Sequence, residues 1–245
     1  YTLIDNDFMK KTLLVIFCYN EEQNIHFLLN KLLKYKVYKD RDILFIDDCS
    51  KDKTNQIIKS YKIKNSKILR NKKNQGFGLN YKFSIKYVIK NKYKKLIFLH
   101  GDNQYPANKV SIIDTKLNKY SLCYGSRKLN FFSMKKNMPF LRLIANMFLT
   151  FFINIMLNNN ATEYFSGFRG LRVEKLKNLD LNKFANQWII EQQIHFHFIN
   201  KNYKISEIPI PTVYTFSQIS KLPPFNYVFS VVTNTFRFSF LKIFS

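Results

Sequence analysis

Acidic residues are scarce in this chain: 16 Asp and Glu stand against 40 Lys and Arg, a formal net charge of +24 over 245 residues. Such an imbalance attracts polyanions, whether nucleic acid, anionic lipid surfaces or phosphorylated small molecules, and does not choose among them. Glycine and proline are thin as well, at 6 each, which excludes collagenous and low-complexity classes. Cysteine is limited to Cys18, Cys49 and Cys123, in apolar strand-like settings without metal-ligand spacing. Buried, reduced thiols in a cytosolic compartment are the expectation. No secretory signal is recognisable, and the chain opens on Tyr1 rather than Met, as a fragment would. The aromatics fall at core spacing without a nucleic-acid motif, so no nucleic-acid partner is expected. What is plentiful is apolar: 46% of the residues are hydrophobic, enough at this length for a substantial core and too many for disorder.

The apolar residues are arranged in alternation. Residues 12–18 form a continuous apolar run, as a strand covered on both faces does. Ile25, Leu28, Leu29, Leu32 and Leu33 then fall on one face of a helix, with Asn20, Glu21 and Glu22 where a helix start wants a cap and negative charge. Strand-like runs recur at 43–46, 66–69, 96–99 and 121–124. Helical patterns follow that carry Ile57 and Ile58, then the stretch from Gly76 to about Ile89, then Val110, Ile113 and Leu117. Strands alternating with helices give a mostly parallel sheet with right-handed crossovers, here over residues 12–127. Later, 138–157 is apolar but interrupted by Arg142, Asn146 and Asn154. It reads as an amphipathic helix in a membrane interface or over the active site, with a buried core helix as the alternative. The aromatic stretch 223–245 reads as a membrane-proximal segment.

Polar clusters follow the strand ends, where open α/β sheets bind ligands. After 96–99 come His100, Gly101, Asp102, Asn103 and Gln104. In extended backbone Asp102 and Gln104 share a side, and together their oxygens suit a hard divalent cation that in turn holds a diphosphate. Asp47 and Asp48 follow the second strand, where the choice is between ordinary turn chemistry with Ser50 as cap and a ligand contact.

Seven short motifs stand in order: Cys18-Tyr19-Asn20-Glu21-Glu22, Asp47-Asp48-Cys49-Ser50, Asn74-Gln75-Gly76-Phe77-Gly78, Gly101-Asp102-Asn103-Gln104, Gly125-Ser126-Arg127, Glu163-Tyr164-Phe165-Ser166-Gly167-Phe168-Arg169 and Glu207-Ile208-Pro209-Ile210-Pro211. This series resembles the family 2 glycosyltransferases over about residues 12–222, most of all their polyprenyl-phosphate sugar synthase branch. The resemblance implies an α/β fold of the GT-A, Rossmann-like type. Its transferase domain would span 1–222, with a nucleotide-sugar part at 12–127 and an acceptor part at 128–222. It also implies that Tyr19 and Glu21 contact the base, that Asp47 and Asp48 hold base and ribose, and that Gly76, with Gly78, makes a close turn. Asp102 and Gln104 would reach a divalent cation, Mg²⁺ or Mn²⁺. His100 stands where the family has an Asp and is either a further ligand or a residue bonded to backbone. Arg127, Arg169 and Lys221 would face diphosphate or lipid phosphate. Glu163 is the first candidate for a general base and Glu191 the second; Gln193 stands where a carboxylate is frequent, and Phe17 where the family has Pro. His195 and His197 are expected on the surface or in packing. The implied activity is an inverting transfer from a nucleotide sugar to a polyprenyl phosphate at the cytosolic face of a membrane. Transfer to a glycan or other hydroxyl acceptor is one alternative. A noncatalytic basic module binding lipid or nucleic acid on a degenerate transferase fold is the other.

Overall fold

A computed structural model describes residues 12–213 and 224–240. Seven strands make one sheet: β1 (Thr12–Cys18), β2 (Asp42–Asp47), β3 (Ser66–Arg70), β4 (Lys95–His100), β5 (Leu122–Ser126), β6 (Arg169–Arg172) and β7 (Ile205–Pro209), in the spatial order β3-β2-β1-β4-β6-β5-β7. All neighbours are parallel except β6, which runs antiparallel to both β4 and β5. The alternation in the sequence thus foretells five strands and their direction, each to within one or two residues. The sheet does not end at residue 127, because β6 and β7 complete it.

Helices α1 (Ile25–Lys34), α2 (Thr54–Ser60) and α4 (Val110–Lys116) cover one face, where Leu28, Leu29, Leu32 and Ile113 meet Leu14, Ile16 and Phe45. Helices α3 (Phe77–Lys90), α6 (Phe140–Leu157), α7 (Ile190–Asn200) and α8 (Pro224–Phe240) cover the other, where Tyr81, Ile85, Leu149, Ile153, Phe196 and Phe238 meet Leu13, Val15 and Phe98. A short helix, α5 (Phe131–Asn137), leads into α6. Burial on both faces is what the unbroken apolar runs of β1 and β4 require.

Two expectations change. Asn20 and the two glutamates do not cap α1, which starts at Ile25; Asn20 adopts a left-handed turn (φ 55°) and the Glu21 carbonyl accepts the Asn24 and Ile25 amides instead. The buried core alternative for 138–157 fails. The α6 helix buries one stripe, Leu143, Leu149, Ile153 and Leu157, while Phe140, Leu141, Phe148, Phe151 and Ile155 each stay more than 60% exposed. The α8 helix packs on α6 and α7 through Val231 and Phe238, with Phe229 and Phe240 outward. Lys221 lies outside the described residues.

Candidate active site

The loops leaving β1 and β2 are stitched to each other. The Asn20 amide donates to Ser50 Oγ (3.0 Å), the Lys51 amide to Asn20 Oδ1 (2.8 Å), and the Glu21 amide to Thr54 Oγ1 (2.7 Å). The Lys53 amide donates to Glu22 Oε2 (2.9 Å). These bonds satisfy backbone groups that a loop cannot pair along a ladder. Tyr19 projects from this frame, nearly half exposed.

Asp47 and Asp48 are both engaged within the protein. Asp47 is fully buried: Oδ1 accepts from the Ser50 amide (2.9 Å), Oδ2 from Asn55 Nδ2 (3.1 Å), and Arg70 Nε lies 3.4 Å away. It forms the turn after β2. Asp48 braces the glycine turn, accepting from Asn71 Nδ2 (2.7 Å) and from the Gln75 and Gly76 amides (2.8 Å each). Burial pushes its carboxyl up, but these bonds, with one from Asn80, outweigh burial and hold it below the usual range. Gly76 caps α3 at φ 81°, a left-handed backbone that a side chain resists. Gly78 matters for another reason: a Cβ there would stand 2.2 Å from the Asn186 carbonyl carbon. The α3 helix therefore lies directly against the 184–189 loop, and Lys82 Nζ fastens it by donating to the Phe184 carbonyl (2.6 Å) and Asn186 Oδ1 (2.7 Å).

At the end of β4 the chain does not stay extended. Asn103 is left-handed (φ 60°) and Asp102 Oδ1 accepts from the Gln104 amide (3.0 Å). Asp102 and Gln104 are thus joined by a turn rather than by strand alternation. Burial raises the Asp102 carboxyl, against the pull of His100 and the Gln104 amide. Glu21 is pushed up to about 7, chiefly by burial; Asn24 lowers it, and the negative charges of Asp102 and Asp52 raise it further. The His100 ring sits among Phe17, Phe77 and Tyr105, at centroid distances of 6.1, 5.6 and 5.3 Å, and its buried Nε2 has no partner among the described residues. The expected backbone bond is therefore not made by that nitrogen. No group of three or more His, Cys, Asp or Glu suited to a metal occurs among the described residues.

The acceptor side behaves differently from the resemblance. Glu163 is buried and gives both oxygens to Arg127: Oε2 accepts from its amide (2.7 Å) and Oε1 from its guanidinium (Nε, 2.7 Å). Arg127 also reaches the Phe165 carbonyl (3.2 Å). A buried carboxylate requires such partners, and here the candidate base and the candidate phosphate ligand answer one another. Arg169, expected at phosphate, is instead 1% exposed within β6, its guanidinium spent on the Ser166 and Glu191 carbonyls. Strand β6 passes through the middle of the sheet, which carries the side chain inward. Glu191 keeps Oε1 buried and without a hydrogen bond, 3.8 Å from Arg169 Nε. Burial raises its carboxyl, while Arg169 and His100 act to lower it. His195 and His197 are both buried, so the surface option for them is lost. Sequence reasoning missed Tyr105, whose hydroxyl accepts the Gly167 amide (2.8 Å), and Lys82; neither stands in a motif.

The glycosyl transferase family 2 model matches residues 13–180. An uncharacterised protein of Methanocaldococcus jannaschii is 28% identical over 240 residues, 93% of this chain and 99% of its own length. The polyprenol monophosphomannose synthase of Mycolicibacterium smegmatis is 21% identical over 206 residues, covering 82% of this chain and 77% of that protein. Among solved structures, glucosyl-3-phosphoglycerate synthase from Mycobacterium tuberculosis, in complex with Mn²⁺, uridine diphosphate and glucosyl-3-phosphoglycerate, superposes with a TM-score of 0.67 at 11% identity. The superposition covers 94% of this chain and 80% of that one. That likeness establishes the GT-A fold. The family match, over more than half of the sequence and nearly all of β1 to β6, makes this chain a member of glycosyl transferase family 2 and a glycosyltransferase.

Proposed function

We propose that this protein transfers a sugar, with inversion, from a nucleotide-sugar donor to a polyprenyl phosphate at the cytosolic face of a membrane. The donor would lie over the carboxyl ends of β1, β2 and β4, between Tyr19 and Glu21 on one side and the Asp48–Gly76 turn on the other. Asp102 offers a single carboxylate, and beside it His100 Nε2 lacks a partner. One carboxylate plus donor phosphates is a donor set that Mg²⁺ and Mn²⁺ accept, with Gln104 nearby; a bound cation would neutralise the departing diphosphate. A phosphate acceptor arrives ionised, so the protein has only to place it in line with the anomeric carbon.

The observation that carries the acceptor is α6. Its outward face is aromatic and aliphatic over 18 residues, the signature of a helix lying in an interface, and the +24 charge favours an anionic surface. The polyprenol-phosphate relative supports the same reading. The test is a donor screen with Mg²⁺ or Mn²⁺ and undecaprenyl or dolichyl phosphate. An acid-labile product that extracts into organic solvent is expected; a water-soluble glycan product would overturn the acceptor assignment.

The second reading, a hydroxyl acceptor, has Glu191 in its favour. A hydroxyl needs a general base, and Glu191, whose carboxyl is raised by burial, has an unbonded oxygen, whereas both oxygens of Glu163 are taken by Arg127. Glu191→Gln would then abolish transfer, and would leave a phosphate acceptor largely unaffected.

A further inference from the structure

A second cavity, of about 630 Å³, opens where the end of α6 and the end of α7 meet β5 and β7. Its composition is unlike the rest of the chain. Forty Lys and Arg are spread through the sequence, yet among the described residues none lines this cavity, and Glu207 is the one acidic side chain among them there. Five asparagines line it instead. Asn158, Asn160, Asn200 and Asn202 stand exposed at the rim, and Asn159 is half-buried. Two of these amides are partly used, Asn159 donating to the Tyr164 hydroxyl (2.8 Å) and Asn200 to the Phe238 carbonyl (3.3 Å). The side chains of Asn158, Asn160 and Asn202 make no hydrogen bond among the described residues.

The floor holds the second observation. His195 on α7 is 0% exposed, and neither ring nitrogen has a partner among the described residues. A buried imidazole without a bond carries a desolvation cost that nothing among the described residues offsets, so it calls for something in the cavity. Its ring is wedged against Tyr124 and Tyr164, at 4.7 and 5.0 Å between centroids, which fixes its direction. Beside it Glu207 accepts from the Tyr124 hydroxyl, from the Thr162 amide (2.7 Å) and from the Thr162 hydroxyl, which still leaves acceptor capacity on the carboxylate.

We propose that this cavity is a binding site for a neutral carbohydrate, separate from the donor cleft. Amides offer a donor and an acceptor side by side, the pattern that two adjacent hydroxyls match, and a neutral imidazole does the same from the floor. That no lysine or arginine lines it among the described residues argues against phosphate or nucleotide, and the volume is that of an ordinary small-molecule site. The far wall connects to the catalytic region: Thr162, bonded to Glu207, precedes Glu163 in the chain.

Saturation-transfer NMR on the full chain, with methyl glucosides and mannosides as probes and inorganic phosphate as control, tests this directly. Sugar signals are expected to persist when uridine diphosphate and Mn²⁺ are saturating, and to survive Asp102→Ala. They should vanish in His195→Phe, which keeps the shape and removes both nitrogens, and fall on the order of tenfold in affinity in Asn160→Ala. A role for His195 in packing alone would leave the sugar signals intact in His195→Phe and overturns the proposal. So does a sugar signal displaced by the nucleotide, which belongs to the donor cleft, or a stronger response to phosphate than to sugar. Failure of the donor assignment leaves these signals in place, so the two readings fail separately.

Discussion

The loops after β1 and β2 and the segment running from Trp188 to His195 are finished to different degrees. In the first, Asn20, Glu22, Asp47, Asp48 and Ser50 bond to backbone and to one another across three loops. In the second, Glu191 Oε1, Gln192 Oε1 and both nitrogens of His195 are buried without a partner among the described residues. One side is preformed, its polar groups already bonded within the chain. The other holds buried polar groups that find no partner among the described residues, the exception that calls for an explanation in a folded protein.

Removing the carboxylate that follows β4, next to the preformed side, has the largest expected effect. Asp102→Ala should reduce sugar transfer on the order of 10²–10³-fold, the scale for losing one charge-stabilising element, with unfolding midpoints little changed; steady-state rates alongside thermal melts check it. Next is the seam between the two sides. Gly78→Val puts a side chain into the Asn186 backbone, 2.2 Å from where its Cβ would be, and should cost on the order of 3 kcal/mol, read as a fall in urea midpoint. On α6 the expectation is reversed. Phe148→Ser combined with Phe151→Ser should alter stability by no more than about 0.5 kcal/mol, as exposed substitutions do, yet weaken flotation with anionic vesicles.

The smallest effect separates two carboxylates on the preformed side by sign. The carboxyl of Glu21 is raised to about 7 from an ordinary 4.5. The folded state therefore holds its proton longer, and the stability this adds is full below pH 4.5 and lost as pH rises through 7. Asp48 is held low, so its contribution is present above the ordinary Asp range and lost as pH falls through its folded value. Urea midpoints should accordingly fall less between pH 4.5 and 7 in Glu21→Gln than in the parent. Asp48→Asn should flatten the acid limb.

The strands of the first half were legible because β1, β2 and β4 are buried on both faces and their sequences show it without interruption. Strand β6 was not. Its four residues, Arg169-Gly170-Leu171-Arg172, carry two cations, and nothing local reveals that Arg169 finds carbonyl partners indoors. Asp102 was legible as a carboxylate at a strand end; the turn that joins it to Gln104 depends on Asn103 taking a left-handed backbone. The pairing of Glu163 with Arg127 links residues 36 apart, a contact that only the tertiary fold makes. Gln193 is similar: its Oε1 accepts from Ala185 (2.7 Å) and its Nε2 donates to Asn234 on α8 (3.0 Å). The departure from a carboxylate there fits a neutral strap between loop and helix.

The antiparallel strand also sets an order of assembly. Strand β5 has only β6 and β7 as neighbours, both encoded after it. During synthesis β1 to β4 can pair as soon as they emerge, while β5 waits for residues 169–172 and 205–209. Closing such distant pairs is slow, and until then the β4 edge is bare and open to strands of other chains. A chain cut after residue 127 would keep its donor-side loops and lose the means to finish its sheet.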